Sequence, residues 1–406
     1  MIWLIYTLFF IALYFEVFMF LAFLTTKTEH VASVSTEKRV FPKVTIIVPC
    51  YNEEATLSAT MHSLLALNYP QDKLDIIIVN DGSHDGTLGV ARTFETDSRV
   101  RVFDKQNGGK HSAMNFALEH TDSGFIGCLD ADSIVDSQAL QAIIPVFIDS
   151  RVAAVTPGIL IKKPETIMQH MQDAEYRLSV FNRFTLSALG SAFITPGPFS
   201  IYRTTIVREM DGWRHGHSTE DLEMALRIQD AGYIIANAPG AVVFTGSPRT
   251  LRALFKQRVR WTYGFLRNAL DYHHMFANSK YGNLSIIILP TALISIFSAI
   301  IFFLRLVYLS AQGLYHSMVR WQILGVQWYI PSFDWFYFNT SMIIVLVVFA
   351  VTLVIGLIAV GTELVTGQKR IPLGTALFVL LYSFIVPVWL ATAVVRAAFK
   401  TGVRWR

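Results

Sequence analysis

Four apolar runs constrain this chain more than any other feature of its sequence. The runs cover residues 2–24, 284–309, 341–360 and 373–395. Crossing about 30 Å of hydrocarbon takes roughly 20 residues of helix, so each run is long enough to span a bilayer. The first run contains one charged residue, Glu16. We therefore predict one span, a soluble block and three further spans.

The overall composition agrees with this layout. Apolar residues make up 53% of the chain and charged residues 16%, which is too hydrophobic for soluble domains alone and excludes disorder. A net charge of +4 does not indicate nucleic-acid binding. The two cysteines, Cys50 and Cys128, cannot form a disulfide framework and are predicted to be buried structural thiols in a reducing compartment.

Basic residues beside the apolar runs bear on orientation. A cleavable signal peptide is the alternative for the first run, but a basic leading region and a small-residue cleavage site are both missing. The residues after that run place the soluble block in the cytoplasm. The tail, residues 396–406, is also basic, which favours the cytoplasmic side, whereas three later spans would place it outside the cell. An aromatic-rich segment at 321–338 that lies in the membrane interface would resolve this conflict. The basic residues after the first run are Lys27, Lys38, Arg39 and Lys43.

The soluble block, residues 40–280, alternates short apolar runs with helical stretches. Runs that are apolar on both faces and separated by helices predict parallel strands in an open α/β sheet. In such sheets ligands bind beyond the carboxyl ends of the strands. Helices are predicted at about 54–67, after Asp85 and after Gly109. The predicted strands are VTIIVPC (44–50), DIIIVND (75–81), VRVFDK (100–105) and FIGCLD (125–130).

Three acidic residues follow these strands directly. Asp130 and Asp132 emerge at the sheet edge as a pair, where oxygen ligands bind hard cations such as Mg²⁺ or Mn²⁺. Asp81 ends the second strand in a turn-like Asn-Asp-Gly-Ser and faces the same crevice. A solvated loop explains the pair and an ordinary turn explains Asp81 if each is considered alone.

Two helix starts carry further candidates. Gly108-Gly109-Lys110 lacks the spacing of a nucleotide-binding P-loop, but a lysine at a helix start can contact a phosphate. The acids of Thr219-Glu220-Asp221 also lie at a helix start, where a plain helix cap is the alternative. Further along the chain, one face of a predicted helix carries Gln257, Arg260 and Trp261. Arg260 could bind a diphosphate and Trp261 could stack on a sugar ring. The alternative is an amphipathic helix that lies on the membrane surface.

The ordered set PCYNE, NDGS, DAD, TED and QRVRW, between apolar runs, resembles the membrane-embedded family 2 glycosyltransferases that make polysaccharides. That group includes poly-N-acetylglucosamine, chitin, hyaluronan and cellulose synthases. The likeness covers about residues 44–268 and the flanking spans. It implies a cytoplasmic, Rossmann-like GT-A domain that takes a UDP-sugar, uses a divalent metal, and passes its polymer through its own membrane helices.

The resemblance also implies roles for individual residues. Asp221 would be the general base that deprotonates the acceptor hydroxyl, in a single displacement that inverts the donor linkage. Glu220 is expected to point away from Asp221 at that turn. Asp130 and Asp132 would hold Mg²⁺ or Mn²⁺ and the diphosphate. Tyr51, Glu53 and Asp81 would hold the uridine, and Gln257, Arg260 and Trp261 would frame the acceptor end and the leaving diphosphate. The predicted substrate-binding set also includes Lys110, Asp130 and Glu220.

Differences between this sequence and some members of the family narrow the choice of predicted polysaccharide product. The Trp-Gly-Thr-Arg string of hyaluronan-type enzymes is missing, and so is the regulatory domain of bacterial cellulose synthases. This favours a processive poly-N-acetylglucosamine-type enzyme. A single-transfer enzyme modifying a membrane lipid and a non-enzymatic membrane scaffold are the alternatives, although a scaffold would be expected to have lost motif acids.

The predicted organisation is a transmembrane helix at 1–25, the glycosyltransferase domain at 40–280 and a transmembrane region at 284–396. Its location would be the cell membrane, with the catalytic domain in the cytoplasm. The expected partners are a UDP-sugar, a growing polysaccharide or glycolipid acceptor, the lipid bilayer and an export or accessory subunit, with no nucleic acid.

Overall fold

The computed structural model describes residues 2–30, 41–325 and 342–401. Its central feature in the described residues is one sheet of eight strands. The strands are β1 (Val44–Cys50), β2 (Leu74–Asp81), β3 (Val100–Lys105), β4 (Phe125–Cys128), β5 (Ile134–Val135), β6 (Val152–Ile161), β7 (Ile201–Arg203) and β8 (Ile234–Thr245). Their order in the sheet is β3-β2-β1-β4-β7-β6-β8-β5.

The half of the sheet that contains β1 to β4 is parallel. β1 pairs with β2 and β4, and β2 pairs with β3, all in parallel, so the carboxyl ends of these strands meet at one edge. β7 runs antiparallel to β4 and β6, and β8 runs parallel to β6. The predicted α/β fold with an open, mostly parallel sheet is confirmed, and β1 and β3 have the predicted bounds. β4 ends at Cys128, before the predicted end, because the acidic turn begins there.

Helices cover both faces of this sheet. Successive β1 side chains point to opposite faces, so Ile46 and Val48 join one apolar core while Ile47 joins the other. The first core includes α2 (Leu57–Leu65), α3 (Thr87–Thr93) and α5 (Ala139–Ile143). The second includes α4 (Lys110–Glu119), α7 (Thr204–Glu209) and α8 (Glu220–Asp230).

Two long helices, α6 (Ile167–Ala188) and α9 (Leu251–Asp271), connect the sheet to the apolar helices. α9 packs on α12 (Thr375–Ala398) through an apolar cluster that also includes Met171 of α6. α11 (Met342–Thr366) packs on α6 at Gly361, whose α-carbon approaches the backbone of α6 so closely that a side chain there would collide with the carbonyl of Arg177.

Four described helices are long and apolar enough to cross a membrane, which agrees with the predicted number of spans. They are α1 (Ile2–His30), α10 (Leu289–Leu324), α11 and α12. α10 has 36 residues and continues well past the predicted end at residue 309. Residues 321–324 of the predicted interfacial segment are the end of α10, and 326–338 lie outside the described residues. So do Lys38, Arg39, Arg404 and Arg406.

Candidate active site

The loops that follow β1 and β2 are bonded to each other. The backbone N–H of Asn52 donates to Ser83 Oγ at 3.0 Å, and the N–H of His84 donates to Asn52 Oδ1 at 2.9 Å. Asn52 has a φ of 57°, a left-handed conformation that asparagine tolerates better than most residues. This turn places the Tyr51 ring 6.3 Å from the His84 ring and leaves Glu53 at the start of the next turn. An aromatic ring and a carboxylate therefore stand together at the sheet edge.

Asp81, the last residue of β2, is buried and organises the next loop. It accepts a hydrogen bond from Lys105 Nζ at 2.7 Å. It also accepts from the backbone N–H groups of Gly108 at 3.0 Å and Gly109 at 2.8 Å. Gly109 has a φ of 85°, which favours glycine, and α4 begins at the next residue. Asp81 therefore holds the loop that presents Lys110 to the crevice.

Lys110 is the centre of the site's charge network. It contacts the Asp130 carboxylate after β4 and lies 3.6 Å from Glu220 Oε1 at the start of α8. Burial lowers the pKa of Lys110, but the charges of Asp130 and Glu220 outweigh it, so the pKa lies well above its ordinary value. Lys110 is thus a permanent cation that joins β4 to α8. Glu220 was expected to point away from Asp221, but this cation holds its carboxylate in the same crevice, where its charge acts on Asp221.

Asp132 has different surroundings from Asp130. Its side chain is exposed at the rim of the crevice and accepts one hydrogen bond, from Ser133 Oγ at 3.1 Å. Partial removal of water by the crevice walls raises its pKa to about 6, with repulsion from Asp130 and Glu53 adding to the effect. Within the described ranges Asp132 makes no ion pair. Because the charged form of Asp132 is disfavoured here, a bound cation would stabilise it, and the residue fits a metal site.

The carboxylates at this edge do not form a closed metal cage. Among the described residues, no group of three or more His, Cys, Asp or Glu side chains has the arrangement needed to hold a metal ion. Asp130 and Asp132 therefore provide a partial ligand set, of the kind in which substrate phosphate oxygens and water complete the coordination of Mg²⁺. The two acids fit a divalent cation that binds together with a diphosphate.

Asp221 lies in the first turn of α8, beside Glu220. Its Oδ1 accepts a hydrogen bond from the N–H of Leu222 at 2.9 Å. Burial of its carboxyl, followed by the charge of Glu220, raises its pKa to about 6, although Lys110 and Arg260 act in the opposite direction. At neutral pH this group is mostly a carboxylate but binds a proton more readily than an ordinary aspartate. That combination suits a general base.

A loop that the sequence analysis did not select closes the crevice. It contains Pro196-Gly197-Pro198, and a side chain at Gly197 would collide with Lys110 Nζ and crowd the Asp130 carboxylate. The preceding residue, Thr195, donates through its Oγ1 to the backbone carbonyl of Asp221 at 2.7 Å. A glycine between two prolines was the available signal that a backbone must approach a site closely here.

α9 supports the turn that carries Asp221. Arg260 Nη1 donates to the carbonyl of Ser218 at 3.0 Å. Asn268 Nδ2 donates to the Gly216 carbonyl at 2.9 Å and to Thr219 Oγ1 at 3.0 Å. Gly264 fits directly against Thr219, where a side chain would collide with the threonine. The QRVRW helix and the TED turn are therefore one structural unit, although residues 222–256 lie between them in the sequence.

The other residues of the QRVRW motif surround the entrance beside α9. The Trp261 side chain is 38% exposed, and Gln257 Oε1 is buried with no hydrogen-bond partner in the described part of the chain. Arg258 is only 4% exposed and its Nη2 donates to Glu175 Oε2 at 2.7 Å. Because Arg258 is buried in an ion pair, the alternative of a membrane-surface helix with snorkelling arginines does not describe this residue.

The structure therefore brings the predicted acids and Lys110 to one edge of the sheet, where Cys50 and Cys128, the last residues of β1 and β4, are free and buried. Burial raises the pKa of Cys128 to about 12, which leaves its thiol unreactive. The sequence analysis missed the roles of Gly197, Asn268, Arg258 and Glu175 in the walls of the site. Electrostatic interactions connect Glu53, Lys110, Asp130, Asp132, Glu220, Asp221 and Arg260. Tyr51 follows β1, Asp81 ends β2, and Gln257 and Trp261 are on α9 with Arg260.

Comparison with known proteins identifies relatives of this chain. The poly-beta-1,6-N-acetyl-D-glucosamine synthase of Staphylococcus aureus (strain COL) is 33% identical over 224 residues, 54% of this chain and 54% of that protein. The synthase of the same name from Staphylococcus epidermidis is 30% identical over 234 residues, 57% of this chain and 56% of that one. The chain spans about half the length of the curated relatives it matches.

The fold of the whole chain is shared with a solved structure. Mannosyltransferase PcManGT from Pyrobaculum calidifontis, in complex with GDP-Man and Mn²⁺, aligns over 97% of this chain and 99% of its own, with a TM-score of 0.58 and 17% identity. That similarity shows a common GT-A fold with apolar helices. A family model described as "Glycosyltransferase like family 2" matches residues 42–264, which include every motif from Tyr51 to Trp261. The protein therefore belongs to glycosyltransferase family 2.

Proposed function

We propose that this protein is an inverting, processive glycosyltransferase that transfers N-acetylglucosamine from a UDP-sugar to the end of a growing β-linked polysaccharide. The observation that carries the proposal is the convergence of Lys110, Asp130, Glu220 and Asp221 in one crevice at the carboxyl edge of the sheet. A base with a raised pKa beside a buried cation is what acceptor activation and departure of a diphosphate require. The names of the Staphylococcus relatives support the choice of sugar.

The nucleotide would bind in the loops after β1 and β2. Tyr51 offers a ring face to the uracil base, and Glu53 offers a carboxylate to the ribose. Asp81 already accepts three hydrogen bonds, from Lys105 and from two backbone N–H groups. An N–H of the base or a ribose hydroxyl could replace the Lys105 ammonium as a donor to Asp81 while the backbone bonds keep the loop in place.

The diphosphate would lie between Lys110 and the two acids that follow β4. Asp130 and Asp132 would hold Mg²⁺ or Mn²⁺ there, and the bound cation would supply Lewis-acid neutralisation of the departing UDP. Lys110 would contribute a fixed positive charge beside the same oxygens, because its raised pKa keeps it protonated. The Gly197 loop would exclude water from this side, since its backbone lies directly against Lys110.

Asp221 would take the proton from the attacking acceptor hydroxyl. A correctly placed base contributes roughly 10² to 10⁴ in rate, or about 3 to 5.5 kcal/mol. The other nearby carboxylate, Glu220, is held by Lys110. A single available base favours one direct displacement over a covalent sugar–enzyme intermediate. One displacement inverts an α-linked donor into a β-glycoside.

The acceptor would approach along α9. Trp261 presents an exposed ring on which a sugar can stack, and the unpartnered Gln257 Oε1 can accept a hydrogen bond from a sugar hydroxyl. Arg260 lies between this entrance and the carboxylates of α8, where it would contact both the acceptor end and the leaving diphosphate.

The same proposal covers location and organisation. We place residues 40–280 in the cytoplasm, on the basis of the basic residues after the first span and the free thiols. Residues 1–25 and 284–396 would lie in the cell membrane and guide the polymer across it, with an export or accessory subunit as a further partner. The position of α12 directly behind α9 supports this route.

Release of UDP provides the decisive test. The purified full-length chain, reconstituted in lipid with Mg²⁺ or Mn²⁺, is offered a panel of UDP-sugars, and the product is digested with linkage-specific glycosidases. We expect UDP release from UDP-N-acetylglucosamine and a product of many sugars. A product with one added sugar would establish the lipid-modifying alternative instead. No UDP release from any member of the panel would contradict the enzymatic proposal.

A further inference from the structure

A buried polar cluster joins α12 to the helix that carries Trp261. Glu175 Oε2 on α6 accepts a hydrogen bond from Arg258 Nη2 on α9 at 2.7 Å and another from the Tyr382 hydroxyl on α12, also at 2.7 Å. One carboxylate oxygen therefore connects three helices. Of these helices, α9 contacts the TED turn through Arg260, and α12 is one of the four described helices that could cross the membrane.

The Arg258 guanidinium has a second contact, with the tryptophan of the acceptor entrance. Its Cζ lies 4.1 Å from the centre of the Trp261 ring, within the range of a cation–π interaction. One face of the indole is therefore covered by a buried cation, while the side chain remains 38% exposed. The position of Arg258 sets the orientation of the exposed ring, because both groups are on α9 one turn apart and in contact.

The tyrosine itself is fixed by aromatic neighbours. Its ring lies 5.6 Å from the Trp389 ring at 87° and 4.8 Å from the Phe378 ring. These contacts belong to the ring, so they persist when the hydroxyl alone is removed. The hydroxyl donates to Glu175 and also lies against the Arg258 guanidinium, so it holds both members of this ion pair in position. Buried ion pairs contribute little net stability compared with apolar packing, so a pair of this kind points to a role in orientation.

From this contact chain we propose that Tyr382 is a positioning residue for acceptor binding. Its hydroxyl orients Glu175, Glu175 orients Arg258, and Arg258 fixes the Trp261 ring on which the acceptor sugar stacks. The inference rests on the proposed function, since it assigns the exposed Trp261 ring to a carbohydrate acceptor. It adds that a helix of the membrane region controls the affinity of the acceptor site without touching the sugar.

The contact chain predicts a selective kinetic effect. Tyr382→Phe should raise the KM for an N-acetylglucosamine oligomer acceptor roughly three- to tenfold, because Glu175 and Arg258 lose a fixed position. The KM for UDP-N-acetylglucosamine should stay unchanged, because Asp81, Lys110 and Asp130 are on the other side of the crevice. Polymer products should become shorter, since a chain that binds less tightly is released more often.

A matched control tests whether the effect requires the hydroxyl of Tyr382 or follows from the loss of any tyrosine hydrogen bond. Tyr281→Phe removes a hydroxyl that donates to Asp230 at 2.7 Å, outside the contact chain. We expect this variant to keep the acceptor KM of the unmodified chain. If Tyr281→Phe raises the acceptor KM as much as Tyr382→Phe does, or if Tyr382→Phe changes the donor KM equally, the proposal is overturned.

A double-mutant cycle tests whether the effect passes through the indole. In a Trp261→Ala background, Tyr382→Phe should leave the acceptor KM unchanged, because the ring that it orients is gone. An equal further rise in that background would overturn the proposal. The melting temperatures of the unmodified chain, the two single variants and the double variant are also compared without any substrate. We expect the shift of the double variant to differ from the sum of the two single shifts, and a simple sum would refute the contact chain. That measurement holds even if the panel of UDP-sugars contradicts the proposed function.

Discussion

The two sides of the crevice are built in different ways. On the proposed donor side, the Tyr51, Asp81 and Lys110 loops each follow a parallel strand, and backbone hydrogen bonds such as those from Gly108 and Gly109 hold them. On the proposed acceptor side, Trp261 depends on side chains from separate helices, and the bond from Tyr382 to Glu175 closes a separation of 207 residues. The donor side is therefore local and prearranged by the sheet, whereas the acceptor side depends on how the apolar helices pack.

The sharpest test of this comparison concerns Asp221, which serves both sides. Asp221→Asn keeps the shape of the side chain and the hydrogen bond from Leu222, so folding and UDP-sugar binding should survive. Transfer should fall by roughly 10² or more, because the base is lost. Single-turnover rates and donor affinity are measured on the same preparation. Nearly unchanged turnover would show that Asp221 is only a helix cap, which costs at most about 2 kcal/mol of stability.

A change confined to the donor side should leave the acceptor side intact. Asp132→Asn removes a charge from the crevice, so metal and UDP-sugar should both bind about 10- to 100-fold more weakly, while the acceptor KM stays the same. Titration of Mn²⁺ and of UDP-N-acetylglucosamine checks this. Full turnover in excess chelator would refute the requirement for a divalent cation.

The contact between α9 and the TED turn can be broken sterically. Gly264→Ala places a methyl group against Thr219, and such overpacking typically costs about 1 to 3 kcal/mol. We expect kcat to fall roughly 5- to 100-fold as the turn shifts Asp221, with smaller changes in donor KM. Gly89→Ala is the matched control, because a side chain at that helical glycine meets no atom within 4 Å. Equal effects of the two variants would argue against a coupling between α9 and the turn.

The smallest expected effect is a shift in pH dependence. Because burial and Glu220 raise the pKa of Asp221 to about 6, the carboxylate fraction, and with it kcat, should increase as the pH rises through that value. Glu220→Gln removes a neighbouring negative charge, so the midpoint of this acidic limb should move to lower pH. A midpoint that moves to higher pH, or stays in place, would contradict the conclusion that the Glu220 charge raises the pKa of Asp221. Rates of UDP release across the pH range provide the measurement.

Much of the donor side could be predicted from the order of residues. The strand 44–50 follows from a run of buried β-branched residues and the strand 100–105 from its alternating valines, and the parallel pairing places Asp81 and Asp130 at one edge. The position of Glu220 was not predictable in the same way. Its inward orientation depends on Lys110, which belongs to another helix and reaches it only in the folded domain.

The α/β class, the four apolar helices and the motif residues at the strand ends could all be predicted from the amino-acid order, because hydrophobic periodicity and strand-end position are local properties. The folded chain was needed to show that Gly197 lies against Lys110, that Asn268 and Gly264 contact Thr219, and that Tyr382 contacts Glu175. These contacts join segments far apart in the chain, and no local pattern specifies which buried polar groups will meet. Their partners are selected when the helices pack and each buried donor must find an acceptor.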